Sequence, residues 1–172
     1  DLGVVPPGLR ETLARRGVMG IDVLAFTRDA DGDFLPPHRW RREAVATTTT
    51  HDLPTLVGWS RGRDLDWRAR LEGTDAATLA GQRDARAADV RALDAAGAAA
   101  IGETGPAAWM AFVAASPSPL ALLPAEDALG LPEQPNLPGT VDTHPTWRRR
   151  LPRDAALAPA LTAFAAARAL PT

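Results

Sequence analysis

The chain has 172 residues, 45% of them apolar, which is enough for one domain with a real core. Its formal net charge of −2 gives no basis for nucleic-acid binding, and no stretch approaches the ~18 apolar residues that span a bilayer. Cysteine is absent, so disulfides and thiolate metal sites are excluded, and a cytoplasmic setting fits.

The chain opens Asp1-Leu2-Gly3, with no initiator methionine and no signal-peptide pattern, as expected of a piece of a longer protein. Pro6 and Pro7 precede a short predicted helix from Gly8 to Arg16 that stops at Gly17. Ile21 to Phe26 reads as a buried strand, and Asp29 to Asp33 as a turn-rich loop. Ala44 to Thr50 is the next strand, because β-branched threonines pack well on a pleated surface. Pro54 to Arg61 is a predicted helix. Asp64 to Gly97 is helical, with Leu79, Ala87, Val90 and Leu93 near one face. Pro106 to Ala115 forms another helix and Leu120 to Leu123 a third strand. A proline- and glycine-rich loop runs from Pro124 to about Pro152, and Ala155 to Leu170 closes the chain as a helix.

Apolar strands alternating with helices predict parallel βαβ units and an α/β class. Three strands are evident, with a fourth conceivable ending at Asp1. A closed (β/α)8 barrel needs eight strands, so the count suits part of a barrel. There is no internal repeat and no interdomain linker, so residues 1–172 are expected to form one unit, with residues 64–105 as a helical insert.

His51-Asp52 follows the threonine run directly, and the carboxyl end of a buried strand is where an α/β barrel keeps its chemistry. Such a pair standing alone is more often structural. All 19 basic residues are arginine, which removes lysine as a catalytic base or Schiff-base former. His38, His51 and His144 are too scattered for a metal site, there is no phosphate-binding glycine motif, and Asp29, Asp31 and Asp33 lack the later positions of a calcium loop. No metal or diffusible cofactor is expected. Phe26 follows an apolar strand and is a candidate to stack on a sugar, although a core position is commoner for phenylalanine. Trp59 and Trp109 lie in predicted helices and are expected in the core. Trp147, beside Arg148, Arg149 and Arg150, is expected to be packed.

Three blocks together resemble the 4-α-glucanotransferases called amylomaltases or disproportionating enzymes. They are Asp1-Leu2-Gly3-Val4-Val5-Pro6-Pro7, then Thr49-Thr50-His51-Asp52-Leu53-Pro54-Thr55 with Gly58-Trp59, then Gln134-Pro135-Asn136-Leu137-Pro138-Gly139-Thr140 continuing through His144 to Pro152. Phe34-Leu35-Pro36-Pro37-His38 is a weaker match. The resemblance implies the C-terminal part of a (β/α)8 barrel of the α-amylase clan. It also implies transfer of an α-1,4-glucan segment to a sugar 4-hydroxyl by a retaining mechanism. Three carboxylates serve that mechanism: an aspartate nucleophile, a glutamate acid/base and a second aspartate that stabilises the transition state. Asp52 matches the third of these, with His51 beside it. The glutamate would directly precede Asp1 and the nucleophile lies further upstream, so the chain alone is expected to be inactive. Asn136 is carried over as a substrate contact, and Phe26 as a contact to the acceptor glucose. The implied partners are maltooligosaccharides and the N-terminal part of the same barrel. The alternative is a non-catalytic glucan-binding or scaffold module.

Overall fold

The computed structural model describes residues 5–169. In chain order the elements are α1 (Leu9–Ala14), β1 (Gly20–Val23), β2 (Ala44–Thr47), α2 (Leu56–Ser60), α3 (Arg63–Glu72), α4 (Ala76–Ile101), α5 (Gly105–Ala114), β3 (Leu120–Leu122), α6 (Ala125–Ala128) and α7 (Ala158–Arg168). The three strands form one parallel sheet in the order β1-β2-β3. Parallel neighbours need a long crossover, and α2 to α5 fill the one between β2 and β3. This is the expected α/β class. Among the described residues no helix is long and apolar enough to cross a membrane.

The register gives the sheet two unlike faces. Ile21 pairs with Val45 and Val45 with Leu120, while Ala46 pairs with Ala121 one position on. Side chains alternate between faces along a strand. One face therefore carries Ala44, Ala46 and Ala121, small enough for α5 to pack closely on β2. The other carries Ile21, Val45, Leu120 and Leu122, and here Leu120 and Leu122 are each more than half exposed.

α5 is the centre of the core. Its residues are apolar on every side, the pattern of a helix buried all round. Trp109, Phe112 and Val113 pack with Leu24, Phe34, Trp40, Leu56 and Leu93. The Trp109 indole N–H donates to Asp94 Oδ1 at 2.9 Å, so burying the ring leaves no donor unpaired. Truncating Trp109 to alanine would cost roughly 3–5 kcal/mol. On the far side of α5, Phe164 and Ala167 of α7 pack with Ala114, and Arg168 donates to Ser118 O at 2.7 Å.

Several boundaries differ from expectation, each for a local reason. β1 ends at Val23, and Leu24–Phe26 is a 3-10 turn. β2 ends at Thr47, because the threonine hydroxyls bond to nearby groups and draw the chain out of the ladder. The predicted helix beyond Asp64 is two helices. Gly73 at φ +69° ends α3, and the Asp75 carboxylate caps α4 by accepting from Ala77 N and Thr78 N. Ala87 is exposed, so the packing face of α4 is Arg86, Val90, Leu93 and Gly97. Arg86 is on that face because it forms a two-pronged pair with buried Asp64, at 2.8 and 2.9 Å. The loop after Pro124 contains α6, and the closing helix begins at Ala158 rather than Ala155. The conceivable strand ending at Asp1 lies outside the described residues, as does the start of the first family-like block.

Candidate functional site

The turn after β2 is shaped by threonines. Thr47 Oγ1 donates to Thr49 O at 2.8 Å, and Thr49 Oγ1 donates to Pro54 O at 2.9 Å. Between these anchors the chain turns at His51 and Asp52 and presents both to solvent. Thr55 then caps α2: its Oγ1 accepts from Gly58 N at 3.0 Å and donates to Leu131 O at 2.6 Å. At Gly58 a Cβ would stand 2.3 Å from the Pro132 carbonyl oxygen, so only glycine lets the two backbones approach this closely.

Asp127 of α6 locks the same corner from below. Its Oδ2 accepts from Thr48 Oγ1 at 2.5 Å and its Oδ1 from Leu56 N at 2.7 Å. Burial pushes its carboxyl up to about 6, against the pull of both hydrogen bonds.

The chain beyond Leu131 is clamped at Glu133. That carboxylate accepts from Arg63 Nε at 2.5 Å, Trp67 Nε1 at 2.9 Å and Arg149 Nη2 at 3.0 Å, joining both ends of the loop to α3. Burial raises the Glu133 carboxyl, but the bonds from Trp67 and Arg63 and the nearby arginine charges outweigh it and hold it below the ordinary value. Buried Gln134 donates to Asn136 O at 2.5 Å. Asn136 is thereby set so that its Nδ2 donates to Asp52 Oδ1 at 2.5 Å.

The structure thus brings together the two residues that the sequence placed 84 positions apart. His51 Nε2 lies 3.4 Å from the same Asp52 oxygen. Phe26 is 70% exposed on the 3-10 turn after β1, at the surface rather than in the core. It borders a hollow of about 620 Å3 whose walls also include Thr50, His51 and Asp52. Trp109 is in the core as expected, with Trp59 half-buried edge-on against it at 5.8 Å. Asp29 closes a turn, accepting from Asp31 N and Asp33 N at 3.0 Å. Among the described residues no three His, Cys, Asp or Glu side chains are grouped to hold a metal.

Trp147 corrects its expectation. It is 63% exposed, and its ring lies 5.3 Å from that of His51. Its φ is +59°, a conformation costing on the order of 1–3 kcal/mol for a bulky residue. The backbone sets this: Trp147 N donates to Pro135 O at 2.9 Å and Thr146 N to His144 O at 2.7 Å, which turns the indole outward. Fully buried His144 anchors the turn. Thr140 Oγ1 donates to Leu137 O, so Thr146 must donate to Thr140 and His144 Nδ1–H to Thr146. Nε2 of His144 has no hydrogen-bond partner, and the ring sits edge-on to Trp67 at 4.7 Å. Burial, with the Arg149 and Arg63 charges, lowers the imidazole against the pull of Glu133, keeping it neutral.

Sequence reasoning missed three contributors: Asp127, Glu133 and the outward Trp147. Asp127 reaches Thr48, 79 positions away, and Glu133 reaches Arg63, 70 positions away, and no local pattern marks such pairings.

This arrangement, a parallel α/β sheet with a His-Asp turn past its middle strand, has the fold of the amylomaltases. The amylomaltase from Corynebacterium glutamicum superposes with a TM-score of 0.72 at 28% identity, over 86% of this chain and 23% of that one. The Streptococcus agalactiae amylomaltase in complex with acarbose matches in fold, with a TM-score of 0.66 at 18% identity, over 98% of this chain and 30% of that one. The 4-alpha-glucanotransferase family's sequence profile matches residues 1–156, and the chain belongs to that family. The 4-alpha-glucanotransferase of Mycobacterium tuberculosis H37Rv is 35% identical over 160 residues, 86% of this chain. That of a Synechocystis strain is 38% identical over 68 residues, 38% of this chain and 14% of the relative. The chain spans 22% of the length of the mycobacterial relative.

Proposed function

We propose that the chain contributes the C-terminal strands of a (β/α)8 barrel that transfers α-1,4-glucan segments. In this reading it supplies the carboxylate that stabilises the transition state. The contact between Asn136 and Asp52, in the turn past β2, carries the reading. In a retaining mechanism positive charge builds on the sugar ring as the glycosidic bond breaks, and hydrogen bonds that tighten at that moment contribute several kcal/mol. With Asp52 Oδ1 engaged by Asn136, Oδ2 can accept a ring hydroxyl of the sugar whose bond is cleaved. His51 donates to a neighbouring hydroxyl, and Asn136 offers its carbonyl oxygen to the same sugar. Phe26 stacks on the acceptor glucose across the shared hollow, and residues 64–105 form a helical insert.

The nucleophile and the acid/base stand about 5–5.5 Å apart in such a site. In this reading they come from the N-terminal part of the barrel. Asp52 cannot replace either, because displacement requires a group at each end of the scissile bond. Transfer wins over hydrolysis where an acceptor sugar excludes water.

The test is a chimera in which this chain replaces the matching segment of the mycobacterial relative. The chimera is expected to convert maltotriose to glucose and longer chains, and Asp52→Asn to lower that rate by about a thousand-fold. The isolated chain is expected to leave maltotriose unchanged. An Asp52→Asn chimera as active as its parent would overturn the reading. Glucan binding by the isolated chain, with an inactive but folded chimera, would favour the non-catalytic module.

A further inference from the structure

Asp127 lies at the base of the two segments whose tips meet at Asp52 and Asn136. On one side it brackets the turn that carries Asp52. Thr48, before the turn, donates to its Oδ2 at 2.5 Å, and Leu56 N, after the turn, donates to its Oδ1 at 2.7 Å. A single carboxylate thus pins both ends of the segment that presents His51 and Asp52 to solvent. On the other side Asp127 begins the stretch that leads to Asn136. Its backbone carbonyl accepts from Gly130 N at 3.0 Å, and Leu131 O then accepts from Thr55 Oγ1 at 2.6 Å. Further along the same stretch Asn136 Nδ2 reaches Asp52 Oδ1. The two segments are therefore joined twice, at the tips by Asn136 and Asp52 and at the base by Asp127.

The base is costly for the fold. Asp127 and its partners Thr48 and Leu56 are all buried. Burial disfavours the Asp127 charge, and the neighbouring Glu126 carboxylate adds to the effect. With its carboxyl at about 6, Asp127 is still mostly ionised at pH 7. An asparagine would pair with the same two partners without burying a charge, so the carboxylate is the less stable choice. What the carboxylate adds is geometry. An O–H···O⁻ bond closes to about 2.5–2.7 Å, whereas an amide N–H···O bond stands at about 2.9–3.0 Å. The ionised side chain thus draws Thr48 inward by about 0.3 Å relative to an amide, and the turn moves with it.

We propose that Asp127 is a positioning residue for Asp52: through Thr48 and Leu56 it sets where that carboxylate stands against Asn136 and the sugar. This rests on the glucanotransferase reading, and the tests separate the two. In the chimera at pH 7, Asp127→Asn should keep or raise the melting temperature. It should nevertheless lower kcat for maltotriose about three- to ten-fold, with KM within about two-fold. A residue that only supported the fold would lose rate and melting temperature together. Thr48→Val removes the bond on the turn side while keeping the side chain's shape, and should lower kcat about ten-fold. A double-mutant cycle reads the route through Asp52: once Asp52→Asn is in place, Asp127→Asn should cost no further rate. One measurement needs no activity. In the 15N-labelled chain, Asp127→Asn and Thr48→Val should shift the Asp52 amide and the Asn136 side-chain NH2 signals.

Unchanged kcat in both variants would overturn the positioning and leave the transferase reading intact. Equal losses for Asp127→Asn with and without Asp52→Asn would do the same, since Asp127 would then act independently of Asp52. Unmoved Asp52 and Asn136 signals in both variants would also overturn it. An Asp52→Asn chimera as active as its parent would overturn the transferase reading, and with an inactive parent chimera the NMR signals decide the positioning by themselves.

Discussion

Asn136 Nδ2 lies 2.5 Å from Asp52 Oδ1, a bond that ties the turn past β2 to the loop after α6 and fixes one oxygen of that exposed carboxylate. In the chimera, Asn136→Ala should lower kcat/KM for maltotriose by about ten- to a hundred-fold through loss of that orientation. Asn136→Asp should be worse, because a second carboxylate would stand against the first. Initial rates for the two variants check the order. Equal rates for Asn136→Asp and the parent would rule the contact out as an orienting one.

Gly58→Ala should destabilise the chain by about 1–3 kcal/mol. The added methyl group meets the Pro132 carbonyl at 2.3 Å, and a backbone oxygen cannot swing aside as a flexible side chain would. Urea denaturation measures the loss. The same variant should move the amide signal of Asn136, since Pro132 lies four residues before it.

Asp127 predicts a stability that falls as pH rises. Its carboxyl sits at about 6 in the folded chain against 3.8 ordinarily, so between these values the folded state binds more protons than the unfolded one. Below about 4 both states are protonated and there is no penalty. Above about 6 the full cost applies, on the order of 3 kcal/mol at 1.36 kcal/mol per unit. Asp127→Asn can still accept from Leu56 N and donate to Thr48. It should therefore match or exceed the parent at pH 7 and lose this part of the pH dependence, as read from melts between pH 4 and 7.

His144 predicts the opposite slope. Its folded value is lowered, so the unfolded chain takes the proton first as pH falls below 6.5. The stability held with a neutral ring is complete above that pH and is lost as pH falls towards the folded value. His144→Gln keeps a donor for Thr146 without titrating, and its melting curve should flatten below pH 6.5. Difference curves for the Asp127 and His144 variants separate two effects that act in opposite directions in the parent.

Much of the site was legible because it is local. The His51-Asp52 turn follows the strand that its threonines announce, whereas the cap at Thr55 was not anticipated, since the helix was expected from Pro54. The three strands and the α5 core were legible from apolar runs bounded by turn residues. The ends of β1 and β2 were not, since hydroxyl bonding competes with the ladder in ways that composition does not order. Ala87 was misplaced because alanine suits either face of a helix. Trp147 was misplaced because its outward turn depends on Pro135, twelve positions back.

The two faces of the sheet give the same three strands opposite tolerances. On the alanine face, Ala46 is fully buried in the cluster with Trp109, Phe112 and Val113 of α5, so a larger side chain there overpacks the core. On the branched face the outcome depends on what the chain is joined to. By itself, the chain should gain solubility from a polar residue at Leu120 or Leu122, where exposure is already above one half. In a longer protein that closes a barrel over this face, the same change would bury an unpartnered polar group. The sign of a mutation at Leu120 thus depends on whether this face is covered, not on the strand alone.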